Sequence, residues 1–129
     1  MSKVKQISIW LIGIIFIIAG INHFLNPDFY TAIMPPYLPY HLELVYISGV
    51  FEILGGIGIL IPRLQKWAGW GLILLLIAVF PANIHMALNP DEFDTIPAIA
   101  LYLRLPLQFV LIAWIYRAIQ TGDEENKSN

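Results

Sequence analysis

The chain has 129 residues, 58% of them hydrophobic and only 12% charged, with a mean hydropathy of +0.71. Soluble domains carry about twice that share of charge, so an integral membrane protein of one compact domain is expected. A net charge of −2 without a basic patch argues against nucleic acid as a partner, and the absence of Cys removes thiol–disulfide exchange, thiolate-bound metal and a Cys nucleophile.

Four apolar runs are long enough to span a bilayer: roughly 7–24, 42–61, 68–86 and 99–119. Together they predict an all-α, four-helix membrane bundle over residues 1–120, followed by a polar, disordered tail at 121–129. Lys3 and Lys5 precede the first run in the manner of a signal peptide. That run lacks a small-x-small cleavage site, however, and is read as a retained helix.

The first run ends in Asn22-His23-Phe24-Leu25-Asn26-Pro27-Asp28-Phe29. The third ends in His85-Met86-Ala87-Leu88-Asn89-Pro90-Asp91-Glu92-Phe93, with one extra residue between His and Leu. Each is a helix end carrying His, stopped by an Asn-Pro turn. Ser48 and Glu52 stand four apart in the second run, as Arg104 and Gln108 do in the fourth, so the chain reads as two duplicated helical hairpins. On that alignment His23 matches His85 and Glu52 matches Gln108.

The segment 26–40 holds four prolines with Phe29, Tyr30, Tyr37 and Tyr40, and is expected to form a stiff cap at the membrane interface. Lys3, Lys5, Arg63, Lys66, Arg117 and Lys127 lie at the N-terminus, in the short second loop or at the C-terminus, whereas the other two loops carry acids such as Asp28, Asp91, Glu92 and Asp94. Positive-inside patterning places both termini in the cytoplasm, with Trp67, Trp70, Trp114 and Tyr116 as an inner aromatic belt.

Glu52, near the middle of the second run, is the most demanding residue, because a carboxylate at that depth must be paired, protonated or set in a polar cavity. It shares a helical face with Ser48, Gly55, Gly56 and Ile59, and small faces are where membrane helices approach one another. His23 shares a face with Phe16, Ala19 and Gly20, and His85 one with Ala78, Pro81 and Ala82. Asn83 points nearly opposite His85 and is assigned to the backbone around Pro81, whose missing N–H frees a carbonyl. The embedded polar residues thus gather in one half of the bundle. They outline an outward-opening pocket whose candidate ligand-binding residues are Asn22, His23, Ser48, Glu52, His85, Arg104 and Gln108. An ion pair between Glu52 and Arg104, the only opposite charges within apolar runs, is expected to tie it together. No metal site is assigned, since two His and a carboxylate without fixed local spacing make no metal motif, and no nucleophile–base motif appears.

The stretches GINHFLNPDFYTAIMPPYLP, LVYISGVFEILGGIGILIP, AGWGLILLLIAVFPANIHMAL and YLRLPLQFVLIAWIYR together resemble the DoxX-like family of small four-helix membrane proteins. The resemblance covers nearly all of 20–117. It implies a four-helix, multi-pass protein of the bacterial cytoplasmic (inner) membrane. The wider family includes a subunit of an archaeal thiosulfate:quinone oxidoreductase, members linked to oxidant defence and one needed for methylamine dehydrogenase maturation; looser relatives are eukaryotic chaperones and cargo receptors. The Cys-based redox chemistry expected of such proteins has no counterpart here.

Two functions follow as expectations. The first is an accessory subunit of a membrane redox system that binds a quinone-like or lipid molecule in the pocket. Such a ring needs an apolar slot and a few groups able to hydrogen-bond its oxygens and exchange protons. The second is a non-enzymatic membrane scaffold or chaperone that contacts a partner protein through its bundle and Pro/Tyr-rich loop. A homo-oligomer or a membrane redox partner is compatible with either. A transporter is disfavoured, because the inner half offers no polar path.

Overall fold

The computed structural model describes residues 3–34, 36–89, 91 and 98–128, with only the backbone at 33, 98, 100, 101 and 121–128. Pro90, Glu92, Phe93 and Asp94, part of the second turn, lie outside the described residues. The described residues form five helices: α1 (Lys3–Leu25), α2 (Pro27–Ile33), α3 (His41–Leu60), α4 (Gln65–Leu88) and α5 (Ala98–Ser128). α1, α3, α4 and the Tyr102–Gln120 part of α5 are each long and apolar enough to cross a membrane. The chain is accordingly built as a multi-pass membrane protein, and the outward side chains agree: Trp10, Ile18, Phe51, Leu74 and Phe109 are all exposed, which suits lipid and not water.

Proline sets the ends. α1, α2, α3 and α4 are followed by Asn26, Met34, Ile61 and Asn89, and each of these precedes a proline. A proline disfavours helical backbone in the residue before it, and Met34 (ψ 142°) and Ile61 (ψ 115°) are extended accordingly. Asn26 and Asn89 take a second solution in common, with φ −132°, ψ 57° and φ −130°, ψ 56°. Each still donates its N–H to the carbonyl four residues back, Asn22 at 2.9 Å and His85 at 3.1 Å.

The short helix α2 was not foreseen within the Pro-rich cap. Pro27 at its first position has the φ a helix needs and no N–H to waste, and Asp28 suits the positive end of the helix. Residues 121–128, expected to be disordered, instead continue α5 as helix.

Around the bundle α1 packs on α3, α3 on α4 and α4 on α5, and α5 closes back onto α1; α2 lies across α1, α3 and α4. The tightest seam is between α1 and α3. A Cβ at Gly20 would sit 2.6 Å from the Gly49 carbonyl oxygen, and one at Gly56 would sit 2.7 Å from that of Gly13. Two antiparallel pairs, Gly20 with Gly49 and Gly13 with Gly56, therefore let the backbones touch. Ile9, Ile12, Ile59, Leu72, Ile115 and Ile119 form the core, all at the bundle end that holds the start of α1. At that end Trp114 Nε1 donates to Ser8 Oγ at 3.0 Å, joining α5 to α1. Buried His23, Asn83 and Gln108 lie toward the opposite end.

Candidate functional site

At that opposite end the bundle encloses a cavity of about 420 Å³, roofed by α2 and by Met34 and Leu38. Its α1–α3 wall carries His23, Ser48 and Glu52, and its α4–α5 wall carries Asn83, Arg104 and Gln108. Phe16, Phe29 and Tyr30 add aromatic surface, and the rest is aliphatic.

On the first wall, the glycine seam brings His23 and Glu52 together. His23 Nδ1 lies 2.7 Å from the Ala19 carbonyl oxygen and 3.1 Å from Glu52 Oε2. A carbonyl can only accept, so Nδ1 carries the ring proton and gives it to Ala19. Glu52 Oε2 is buried and accepts no hydrogen bond among the described residues, despite the nearby nitrogen. The His23 ring stacks on Tyr30 at 3.8 Å between centroids. Tyr30 is held in turn by Asn22, whose Nδ2 donates to its hydroxyl oxygen at 2.6 Å, while Asn26 Nδ2 donates to Asn22 Oδ1 at 2.6 Å. The turn after α1 thus fixes α2 over the cavity.

On the second wall, Arg104 Nε donates to Asn83 Oδ1 at 3.3 Å and Asn83 Nδ2 donates to Gln108 Oε1 at 3.1 Å. Gln108 Nε2 completes the chain on the Leu76 carbonyl. This corrects two expectations. Gln108, not Asn83, reaches the backbone of α4 in the turn before Pro81. Arg104 is held by Asn83 and not by Glu52, whose charged or chargeable neighbour among the described residues is His23. Asn83 stands on the helix packed against α5, within reach of Arg104, whereas Glu52 stands on α3, across the bundle from α5.

Of the seven residues expected to form the pocket, His23, Ser48, Glu52, Arg104 and Gln108 line the cavity. Asn22 stands behind Tyr30. His85 lies outside the lining, at the end of α4, with Asn89 Nδ2 3.2 Å from its Nδ1. Asn83 and Tyr30 line the cavity although neither was among the seven. The signal for Asn83 was in the sequence: it shares a face with Leu76 and Val79, opposite His85, and only one of the two can look inward.

Four candidate spans around a capped, two-walled polar cavity define a class of small helical-bundle membrane protein with room for a guest molecule. Within that class, residues 12–119 match the family described as Domain of unknown function (DUF8561), and the chain belongs to that family. No curated protein and no solved structure matches it.

Proposed function

We propose that this chain resides in the bacterial cytoplasmic membrane with both termini in the cytoplasm, and that its cavity holds a quinone-like ring or another amphipathic molecule. It then acts as an accessory subunit of a membrane redox system of the DoxX-like kind. The observation that carries the reading is the cavity itself. It is mostly apolar, has aromatic side chains on its lining and polar groups on two facing helix pairs, and its volume of about 420 Å³ falls in the range of small-molecule sites. The orientation rests on the basic residues other than Arg104, which gather at the end away from the cavity in the described segments, as Lys3, Arg63 and Lys66 do. No catalytic residue is assigned.

The two hairpins, α1–α3 and α4–α5, are read as duplicates. The shared backbone of Asn26 and Asn89 supports this. Counting back from those two residues pairs Asn22 with His85 and His23 with Met86, so the extra residue shifts the histidines out of register. Met86, fully buried, then fills the place that His23 takes in the first half.

Native mass spectrometry of the protein released from mild detergent tests the ligand reading. A bound ring or amphiphile of defined mass, lost on Glu52→Ala or Gln108→Ala, is the expected result. A bare monomer, or a stoichiometric protein partner with no small molecule, counts against it. The second outcome favours the scaffold reading, which draws on Tyr37 and Tyr40, 76% and 74% exposed beside the cap.

A further inference from the structure

The two walls of the cavity differ in hydrogen-bond character, and this limits what they can hold. On the α1–α3 wall, His23 gives its Nδ1 proton to Ala19, which leaves Nε2 of the neutral ring with only a lone pair. Glu52 beside it is an acceptor as a carboxylate. The Ser48 and Tyr30 hydroxyls can serve either way. On the α4–α5 wall, the two amides are used on each other, on the Leu76 carbonyl and on Arg104 Nε. The four Nη hydrogens of Arg104 engage no group among the described residues. The groups whose character the geometry fixes therefore divide cleanly, with the His23 Nε2 acceptor on one wall and the cationic Arg104 donor on the other. Arg104 lines the same cavity as Glu52.

We infer that the guest is a hydroxylated aromatic, a phenol or hydroquinone, taken in preference to a ring that offers only carbonyl oxygens. The inference rests on the proposal that the cavity holds a ring at all. A hydroxyl donates to Glu52 or His23 and a second ring oxygen accepts from Arg104, so both walls are satisfied. A ring with two carbonyls also satisfies Arg104, but it turns an acceptor toward Glu52 and leaves both groups desolvated without a proton between them. Arg104 is exposed and already fixed through Nε, so its free Nη groups can meet the guest without breaking the amide chain.

The test uses one ring in two oxidation states: a dimethoxy-methyl-benzoquinone bearing a single isoprenyl unit, and its hydroquinone kept reduced under argon. Binding of each to the purified full chain in detergent is measured by calorimetry. The hydroquinone is expected to bind about tenfold tighter or better, the scale of one hydrogen bond to a charged group. Glu52→Gln, which places an N–H donor where the carboxylate stood, is expected to abolish or reverse that preference. Equal or tighter binding of the oxidised ring by the wild-type chain overturns the inference and leaves the ring-binding proposal standing. Failure of both forms to bind overturns the ring-binding proposal, and the inference with it. The wild-type comparison decides the matter even if Glu52→Gln folds poorly.

Discussion

The single proton on His23 Nδ1 has two acceptors in reach, the Ala19 carbonyl at 2.7 Å and Glu52 Oε2 at 3.1 Å, and it goes to the first. The same ring packs against Tyr30, so removing either His23 or Glu52 disturbs the other. A double-mutant cycle on His23→Ala and Glu52→Ala, followed by thermal unfolding in detergent, should give a coupling of about 0.5–3 kcal/mol. The cycle on Glu52→Ala and Arg104→Ala should be additive within about 0.5 kcal/mol, since the two share no hydrogen-bond partner. A larger coupling for the second pair than for the first would show that Glu52 answers Arg104 after all. Across the cavity, Gln108→Ala strips the buried Asn83 amide of its acceptor. Interhelical bonds of this kind are worth about 1 kcal/mol in membrane proteins, and that loss is expected in the same assay. Arg104→Ala, at an exposed position, should cost less; the opposite ranking would remove the amide chain as a stabilising feature.

Among the elements, the α1–α3 seam makes the sharpest claim. Ala at Gly20 would push a methyl against the Gly49 carbonyl at 2.6 Å, backbone that has little freedom to move. Gly71 lies in the middle of α4 with nothing within 4 Å of its Cβ position. Gly20→Ala is therefore expected to destabilise by about 1–3 kcal/mol, in line with overpacking elsewhere, while Gly71→Ala is neutral or mildly stabilising through helix propensity. Equal unfolding temperatures for the two variants would mean that the seam is not close-packed. The same comparison marks what could be read in advance. The long helices were legible, because apolar length and the residues before proline locate four helix ends directly. The glycine pairs were not, because a small face announces a close neighbour without saying which helix it is. Helical spacing fixed the direction of Glu52, His23 and Asn83 relative to their own axes. Only the arrangement of neighbours decides that Asn83 meets α5 while His85 stays at the rim. The α2 helix is hidden in a Pro-rich segment that suggests stiffness, although Pro27 serves as a helix start.

For the whole molecule, the orientation and the repeat are the claims most open to direct test. Reporter fusions after Thr121 and within 91–95 should report opposite compartments, cytoplasmic for the first; matching compartments would refute the four-span count. In an experimental structure, superposing α1–α3 on α4–α5 should bring Asn22 onto His85 and His23 onto Met86. A best superposition that leaves those pairs more than about 11 Å apart, two helical turns, would make the duplication a coincidence of two turns. Among the neighbouring pairs of long helices, α1 and α5 pack together least, and the Ser8–Trp114 bond pins that seam only at the apolar end. Ile15 of α1 and Leu111 of α5 bring the cavity lining to the same seam. Parting there opens the side of the bundle to the acyl chains and leaves the capped end shut. A guest that enters by this route never dissolves in water, so its occupancy in the membrane follows its partition into the bilayer.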